Sequence, residues 1–259
     1  MTVTYAWKPV EKIKQRMDPA FWDPKYDELD VAIFETGWPV KRLGDFIGSI
    51  TYGQVGQRVY DLNGTVWYVQ VRNLVRTGID VLAKPARIAE GSYNDPVRSR
   101  VAVGDILYAN SGIGSLGRCV CITELHDEMN VSQDIDVIRV DGVLPEYIAS
   151  FLMSKLGQAY SLRISHGVSR MTKISFVEVK SLPVPVLPLQ LQEHIRDRYR
   201  QVARTHDAAM KAKAAGKLAE SQETLDYANR LLDELVAYVE GVIQAGPPQV
   251  EVKHDGETR

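Results

Sequence analysis

The chain has 259 residues, a formal net charge of −2 and an isoelectric point near 6.2. That length suits one large domain or one domain with an extension. Near-neutrality excludes a protein that coats polyanions through bulk charge, but it leaves room for a local basic face. No apolar run reaches the roughly 20 residues that cross a bilayer, and the opening MTVTYAWKPVEKIK lacks the apolar core of a secretion signal. A cytoplasmic protein without membrane partners is the expectation. The cysteines, Cys119 and Cys121, lie two apart in RCVCI. They read as small buried residues of one strand rather than as a disulfide or half of a metal site.

Residues 1–38 are rich in proline and aromatic residues (RMDPAFWDPKYDEL) and read as an arm packed on the main body, with a short helix over 25–34. From Pro39 the pattern turns to β. TVWYVQV is dense in β-branched and aromatic residues. VAVGDILYAN, RCVCIT and DIDVIRV give further strands, and glycines punctuate the turns. About six short strands suggest a curled, barrel-like β-body. LPEYIASFLMSKLGQAYSLRI interrupts it with helical spacing of Ile148, Phe151, Leu152 and Leu156. From Tyr147 to Val177 there is no acid, whereas Lys155, Arg163, His166, Arg170 and Lys173 are present. Such a stretch is a solvated helix face or an anion-facing surface. Phe176–Leu187 reads as an irregular, extended apolar piece because Pro183 and Pro185 cannot donate to a ladder. Pro188 then opens a helix, where its missing N–H is not needed.

Residues 188–245 are helical in composition. Leu218, Leu225, Leu232 and Val239 recur every seven residues, with Ser221, Ala228, Leu235 and Val242 three positions behind. This is the seam of a coiled coil. Ile195, Val202 and Ala209 form an earlier heptad set that is out of phase with the later one, and Gly216 lies between them. A break or kink is expected there. The later stripe, and Leu218, Leu225, Leu232, Leu235, Val239 and Val242 in particular, can fold back on the earlier one or pair with a second chain. Gly246-Pro247-Pro248 ends the helix, and 246–259 read as a disordered tail.

Chemistry is sparse. Gly112, Gly114 and Gly117 match G-x-G-x-x-G, but a strand-like segment follows where a dinucleotide site needs a helix N-terminus. The required acid is arguable only as Asp134 or Asp136. The motif reads as a β-turn, and no cofactor is expected. His126, His166, His194 and His206 lie in different elements without metal-ligand spacing. No nucleophile elbow or P-loop is present, so a recognition or assembly protein is expected rather than an enzyme. The polar loops say more. Tyr52, Gln54, Gln57 and Arg58 mark one loop. Arg72, Asn73 and Arg76 mark a second, and Arg163, His166, Ser169, Arg170 and Lys173 a third. Arginine reads guanine and amides read adenine in the major groove, while lysine and hydroxyls hold phosphate. These twelve are the candidate DNA-binding residues.

Five segments, in order, resemble the specificity subunits of type I restriction–modification systems. They are GWPVKRLGDFIGSITYG, VGDILYANSGIGSLGRCVCI, NVSQDIDVIRV, YIASFLMSKLGQAY and HGVSRMTKISFVEVKSLPVPVLPLQLQEHI. The likeness covers about residues 38–205 and looks like half of a two-domain subunit. It implies an α/β (α+β) fold, with a curled β-rich target-recognition domain over 39–187 and coiled-coil-like dimerisation or spacer helices over 188–245. It also implies double-stranded DNA and a partner N6-adenine methyltransferase, with a translocating restriction subunit in a complete system. A single recognition domain further implies a homodimer or a second half-subunit. The long N-terminal arm is similar to arms of recognition modules that serve phage-exclusion methyltransferases. A scaffold that binds no DNA is the alternative class.

Overall fold

The structure is a computed structural model that describes residues 19–112, 114–167 and 172–248. Most of the expected tail and the first half of the arm lie outside these ranges, as do Ser169 and Arg170. The arm runs through two 3-10 turns, Pro19–Trp22 and Pro24–Tyr26, into helix α1 (Asp27–Phe34). Tight turns follow from Pro19 and Pro24, whose fixed φ opens each one.

Among the described residues, eleven short strands build four sheets. The largest is antiparallel and joins β2 (Ile47–Tyr52), β10 (Ile135–Val140), β7 (Ile106–Ala109) and β8 (Cys119–Cys121), in the order β2-β10-β7-β8. A second sheet is β6 (Arg87–Ile88), β3 (Val66–Val69) and β9 (Met129–Val131), with β3 and β9 parallel. β4 (Leu74–Val75) and β5 (Gly78–Ile79) form a hairpin, and β1 (Val40–Arg42) pairs with β11 (Pro183–Pro185). The strands read as unbroken apolar runs because both faces of the main sheet are covered. Ile106, Tyr108, Cys119, Cys121 and Ile138 pack toward the helices, whereas Leu107, Ala109, Val120, Ile135 and Val137 pack toward Val69 and Val131 of the second sheet. The expected barrel-like closure does not occur. Short strands divided among separate sheets fill both faces without joining their edges. Both cysteines are buried and free, as small core residues of one strand.

Two segments depart from the expected elements. The helix over 145–164 is two helices, α2 (Pro145–Met153) and α3 (Lys155–Ile164), split at Ser154. Ser154 leaves the helical conformation, and its hydroxyl caps α3 by accepting from the Gly157 amide at 3.1 Å. Serine competes for backbone groups in this way, so it terminates helices as readily as it continues them. Phe176–Ser181 is a short helix, α4, not extended chain. Ser175 and Glu178 form its capping box, a signal hidden by the prolines that follow.

From Pro188 the chain forms α5 (Leu189–Ala214), reverses at Gly216, and returns as α6 (Leu218–Ala245). The pair is an antiparallel hairpin within one chain. Ile195, Val202 and Ala209 of α5 are buried together with Ala228, Leu232, Leu235, Val239 and Ile243 of α6. The Ser221 hydroxyl donates to Ala209 O across the seam at 2.8 Å. Of the two expected partners for the later stripe, the structure shows the fold-back within one chain. Leu232, Leu235 and Val239 are spent inside the protomer, Leu225 and Val242 are partly covered, and Leu218 stays outside the seam at 67% exposure. Among the described residues, no helix is long and apolar enough to cross a membrane.

Burying Leu232 and Leu235 contributes about 1.5–3 kcal/mol each. Replacing both with Asp is therefore expected to unfold the hairpin at any protein concentration, read by circular dichroism and urea denaturation. Near-wild-type stability would place the seam between chains instead. A second outcome concerns Asp136, which is fully buried in β10 with one carboxyl oxygen lacking a partner. The other oxygen accepts from the Asn110 amide at 2.6 Å. Burial pushes its pKa up to about 7, against the Asn110 hydrogen bond. The folded chain thus holds a proton that the unfolded chain loses near pH 4, so this group's contribution to stability declines as pH rises from about 4 to 7. Asp136→Asn should remove that part of the pH dependence. Parallel urea midpoints of both proteins from acid to neutral pH check it, and identical profiles would refute it.

Candidate nucleic-acid interface

Three separated segments meet at one open cavity of about 630 Å³. Its lining includes Arg72, Arg118 and Lys173, with Ser111, Ser115 and Asp134. Arg72 is carried on the 3-10 turn Val71–Asn73 that follows β3. Asn73 locks that turn, accepting from Gln70 N at 2.9 Å and donating to Asp80 O at 2.9 Å. Arg118 closes the glycine turn between β7 and β8. Its guanidinium donates to two carbonyls, Leu74 O at 2.8 Å and Gly114 O at 3.0 Å, so it is oriented without being neutralised. Lys173 lies on backbone bridges to both His166 and Ser111, which pull the third loop against the glycine turn. Among the described residues, the side chains of Arg72 and Lys173 have no ion-pair partner, and both are exposed.

The glycine motif thus serves as a wall of this cavity. β8 follows it directly, as the strand-like segment predicts. Gly117 has φ 77°, and a Cβ there would lie 2.8 Å from the Ser161 side chain on α3. The last glycine is therefore required by a turn conformation and by close packing together.

A second group adjoins the first. Arg58 pairs with Asp134 of the cavity wall at 3.1 Å, and the Ser111 hydroxyl donates to the same carboxylate at 3.0 Å. Tyr52 is 37% exposed and packs its ring on Phe176 at 5.3 Å. Gln54 and Gln57 stand on the same loop as Arg58. His166 contacts Glu178 at 3.0 Å at the base of the third loop. The cavity therefore holds Arg72 and Lys173 directly, with Arg58 joined to it through Asp134 and His166 through its bridge to Lys173, while Tyr52, Gln54 and Gln57 lie along the adjoining strand and loop.

Three candidates stand elsewhere. Asn73 is 1% exposed, and its amide is consumed in locking the turn, so it supports Arg72 rather than reaching a ligand. Arg163 is buried under the arm. It donates to Asp30 at 2.5 Å and to Phe21 O at 3.2 Å, and it packs against the rings of Phe21, Tyr26 and Tyr160. An acid-free stretch in sequence is thus no guide to surface charge, because its acid comes from 133 residues away. Arg76 turns away to Asp233 on α6 at 2.6 Å. Ser169 and Arg170 lie outside the described residues. Arg118 and Ser111 were not anticipated. Both flank the glycine motif, whose reading as a plain turn drew attention from its neighbours.

No family model matches the chain, and neither does any curated protein. Solved structures do match. One comes from work on the complex assembly and conformational transition of the type I R-M system, at 14% identity and a TM-score of 0.46 over 89% of this chain and 55% of that one. A second is the type I restriction–modification S subunit from M. genitalium, at 12% identity and a TM-score of 0.44 over 69% and 44%. A third is the HsdS subunit from Thermoanaerobacter tengcongensis, at 16% identity and a TM-score of 0.45 over 88% and 54%. The chain spans about half the length of each of the solved structures it matches.

Proposed function

We propose that this chain is a DNA-recognition subunit that directs a partner adenine methyltransferase to its target, in a system with or without a restriction subunit. The observation that carries the reading is the cavity where Arg72, Arg118 and Lys173 converge from three loops with no acid paired to any of them among the described residues. Three unneutralised cations held by backbone geometry suit a run of phosphates. The neighbouring glutamines and Arg58 supply the donors and acceptors that base edges require. Under this reading the 39–187 segment recognises DNA and the helices over 188–245 act as a spacer. The chain aims, and its partner performs the chemistry.

A half-site reader needs a second reader. The hairpin seam is filled within the protomer, so pairing with a second copy would use the outer helix faces. Over their whole lengths the two helices differ in charge: α5 carries six basic and three acidic residues, and α6 carries six acidic and one basic, although Arg200, Lys213 and Asp233 already pair with the body. In a two-fold arrangement, α5 of each copy faces α6 of the other. The DNA site would then be an interrupted palindrome.

Arg72→Ala and Lys173→Ala are each expected to weaken duplex binding. Each should flatten the slope of log K against log salt by about 0.9 for every phosphate that is no longer neutralised. The checks are fluorescence anisotropy over a salt series and an unchanged melting curve for folding. Wild-type chain that binds no duplex, even with its methyltransferase present, would favour the scaffold reading. Light scattering over concentration and salt tests the pairing. A salt-sensitive dimer is expected, and a monomer throughout would remove the palindrome from the proposal.

A further inference from the structure

We propose that two loops, 53–62 and 91–98, form a single rigid element that reads bases, while the Arg72–Arg118–Lys173 cavity holds the phosphate backbone. This rests on the DNA reading above and assigns roles within it. The two loops are distant in sequence but tied by four hydrogen bonds. Tyr93 Oη donates to Val55 O at 2.8 Å, and Asn94 Nδ2 donates to Gln57 O at 3.2 Å. Val59 N donates to Asn94 Oδ1 at 2.8 Å, and Arg98 donates to Gln54 Oε1 at 3.1 Å.

The second loop is anchored below. Asp95 is 3% exposed and accepts from Gly91 N at 2.9 Å, from Asn130 Nδ2 on β9 at 2.8 Å and from the Arg100 guanidinium. Burial opposes the charge on Asp95, but Arg100, Asn130 and Gly91 outweigh it and hold its pKa below the usual carboxylate value. Ser99 donates to Asn130 Oδ1 at 2.7 Å, which completes the network. Buried polar groups are costly unless satisfied, and the bonds that Asp95, Asn130 and Ser99 share fix their geometry. Such support from beneath is what positions a recognition surface.

The surface above has the chemistry of a groove reader. Tyr93 is 63% exposed, although its hydroxyl is already spent on Val55 O. Val55, Val59 and Val97 are exposed beside it. Arg98 and Gln54 form a guanidinium–amide pair with donors to spare. Guanidinium and amide groups match purine edges, and apolar groups match the thymine methyl. Valine and a hydroxyl-bonded tyrosine offer nothing to a phosphate. Arg58, on the first loop, pairs with Asp134 of the cavity wall, so the element adjoins the cationic cavity. That continuity with cations favours duplex DNA over a protein partner as the occupant.

The experiment uses the full chain and a pool of randomised duplexes. Wild type is selected against the pool, and its winner is compared with a shuffled duplex of the same composition. Arg98→Ala and Tyr93→Ala should leave the salt slope and the affinity for shuffled duplex within about twofold, while preference for the winner falls about tenfold. Lys173→Ala should do the reverse, flattening the slope and retaining the preference. If the loop variants keep the wild-type preference, the assignment to these loops is overturned while the DNA reading survives. If wild type binds every duplex equally with a steep salt slope, base reading falls and phosphate binding stands. If wild type binds no duplex, both fall together. Loss of methyltransferase co-purification by the loop variants, with preference unchanged, would assign the two-loop element to a protein contact instead and overturn its role as a base reader.

Discussion

The arrangement of this molecule depends on a polar ladder along α5. Gln192, Tyr199, His206 and Lys213 recur every seven residues, and each bonds to a different part of the body. Gln192 accepts from Leu144 N at 2.9 Å and donates to Leu187 O at 2.7 Å. The Tyr199 hydroxyl accepts from Cys121 N at 2.8 Å. His206 meets Thr77 Oγ1 at 2.9 Å and Ile79 O at 3.1 Å, and Lys213 reaches Asp80 at 2.5 Å. Apolar packing alone is non-directional and would let a helix slide or roll on the sheet. Four buried or half-buried polar contacts at fixed spacing leave one register, because any shift strands several groups without partners. Gly78 is part of the same fit, since a Cβ there would lie 2.3 Å from the His206 ring.

The ladder also reaches the candidate interface. Thr77, Ile79 and Asp80 belong to the stretch that holds Asn73, and Asn73 sets the turn carrying Arg72. Helix, hairpin and cationic loop are therefore linked by consecutive hydrogen bonds. Burial lowers the pKa of His206, so the fold holds it neutral and its contact with the body weakens as pH falls below the ordinary histidine range. The helical hairpin and the body also share one core, with Ile195, Val202, Leu232 and Val239 in the same cluster as Tyr147, Phe151 and Val184. The helical hairpin and the body are thus packed through one continuous core rather than joined by a linker.

Charge in this chain is managed locally rather than in bulk. Arg163 is drawn inward by Asp30 and three aromatic rings, and it fastens the arm. Trp38 fastens the other end of the arm by donating to Val242 O on α6 at 3.1 Å. The arginines that remain free of acids are those whose neighbours offer carbonyls or solvent instead. Net charge near zero therefore coexists with a concentrated cationic cavity.

The amino-acid sequence alone specified the main strands through β-branched and aromatic content, the glycine turn through its glycines, and the two heptad stripes through sevenfold spacing, which follows from helix geometry alone. It also placed a break or kink near Gly216, which the structure shows to be a reversal. It could not decide whether the Leu232–Val239 stripe meets its own chain or another, because both partners satisfy the same apolar pattern; the folded chain shows it buried against α5 of the same chain. The second α5 heptad, Gln192–Tyr199–His206–Lys213, was invisible to a hydrophobic reading because its members are polar. Burial separated Arg163 and Asn73 from Arg72 and Lys173, residues of like chemistry. Whether a side chain faces a ligand or a neighbour depends on what the folded chain brings beside it, and that lies up to 133 residues away for Arg163.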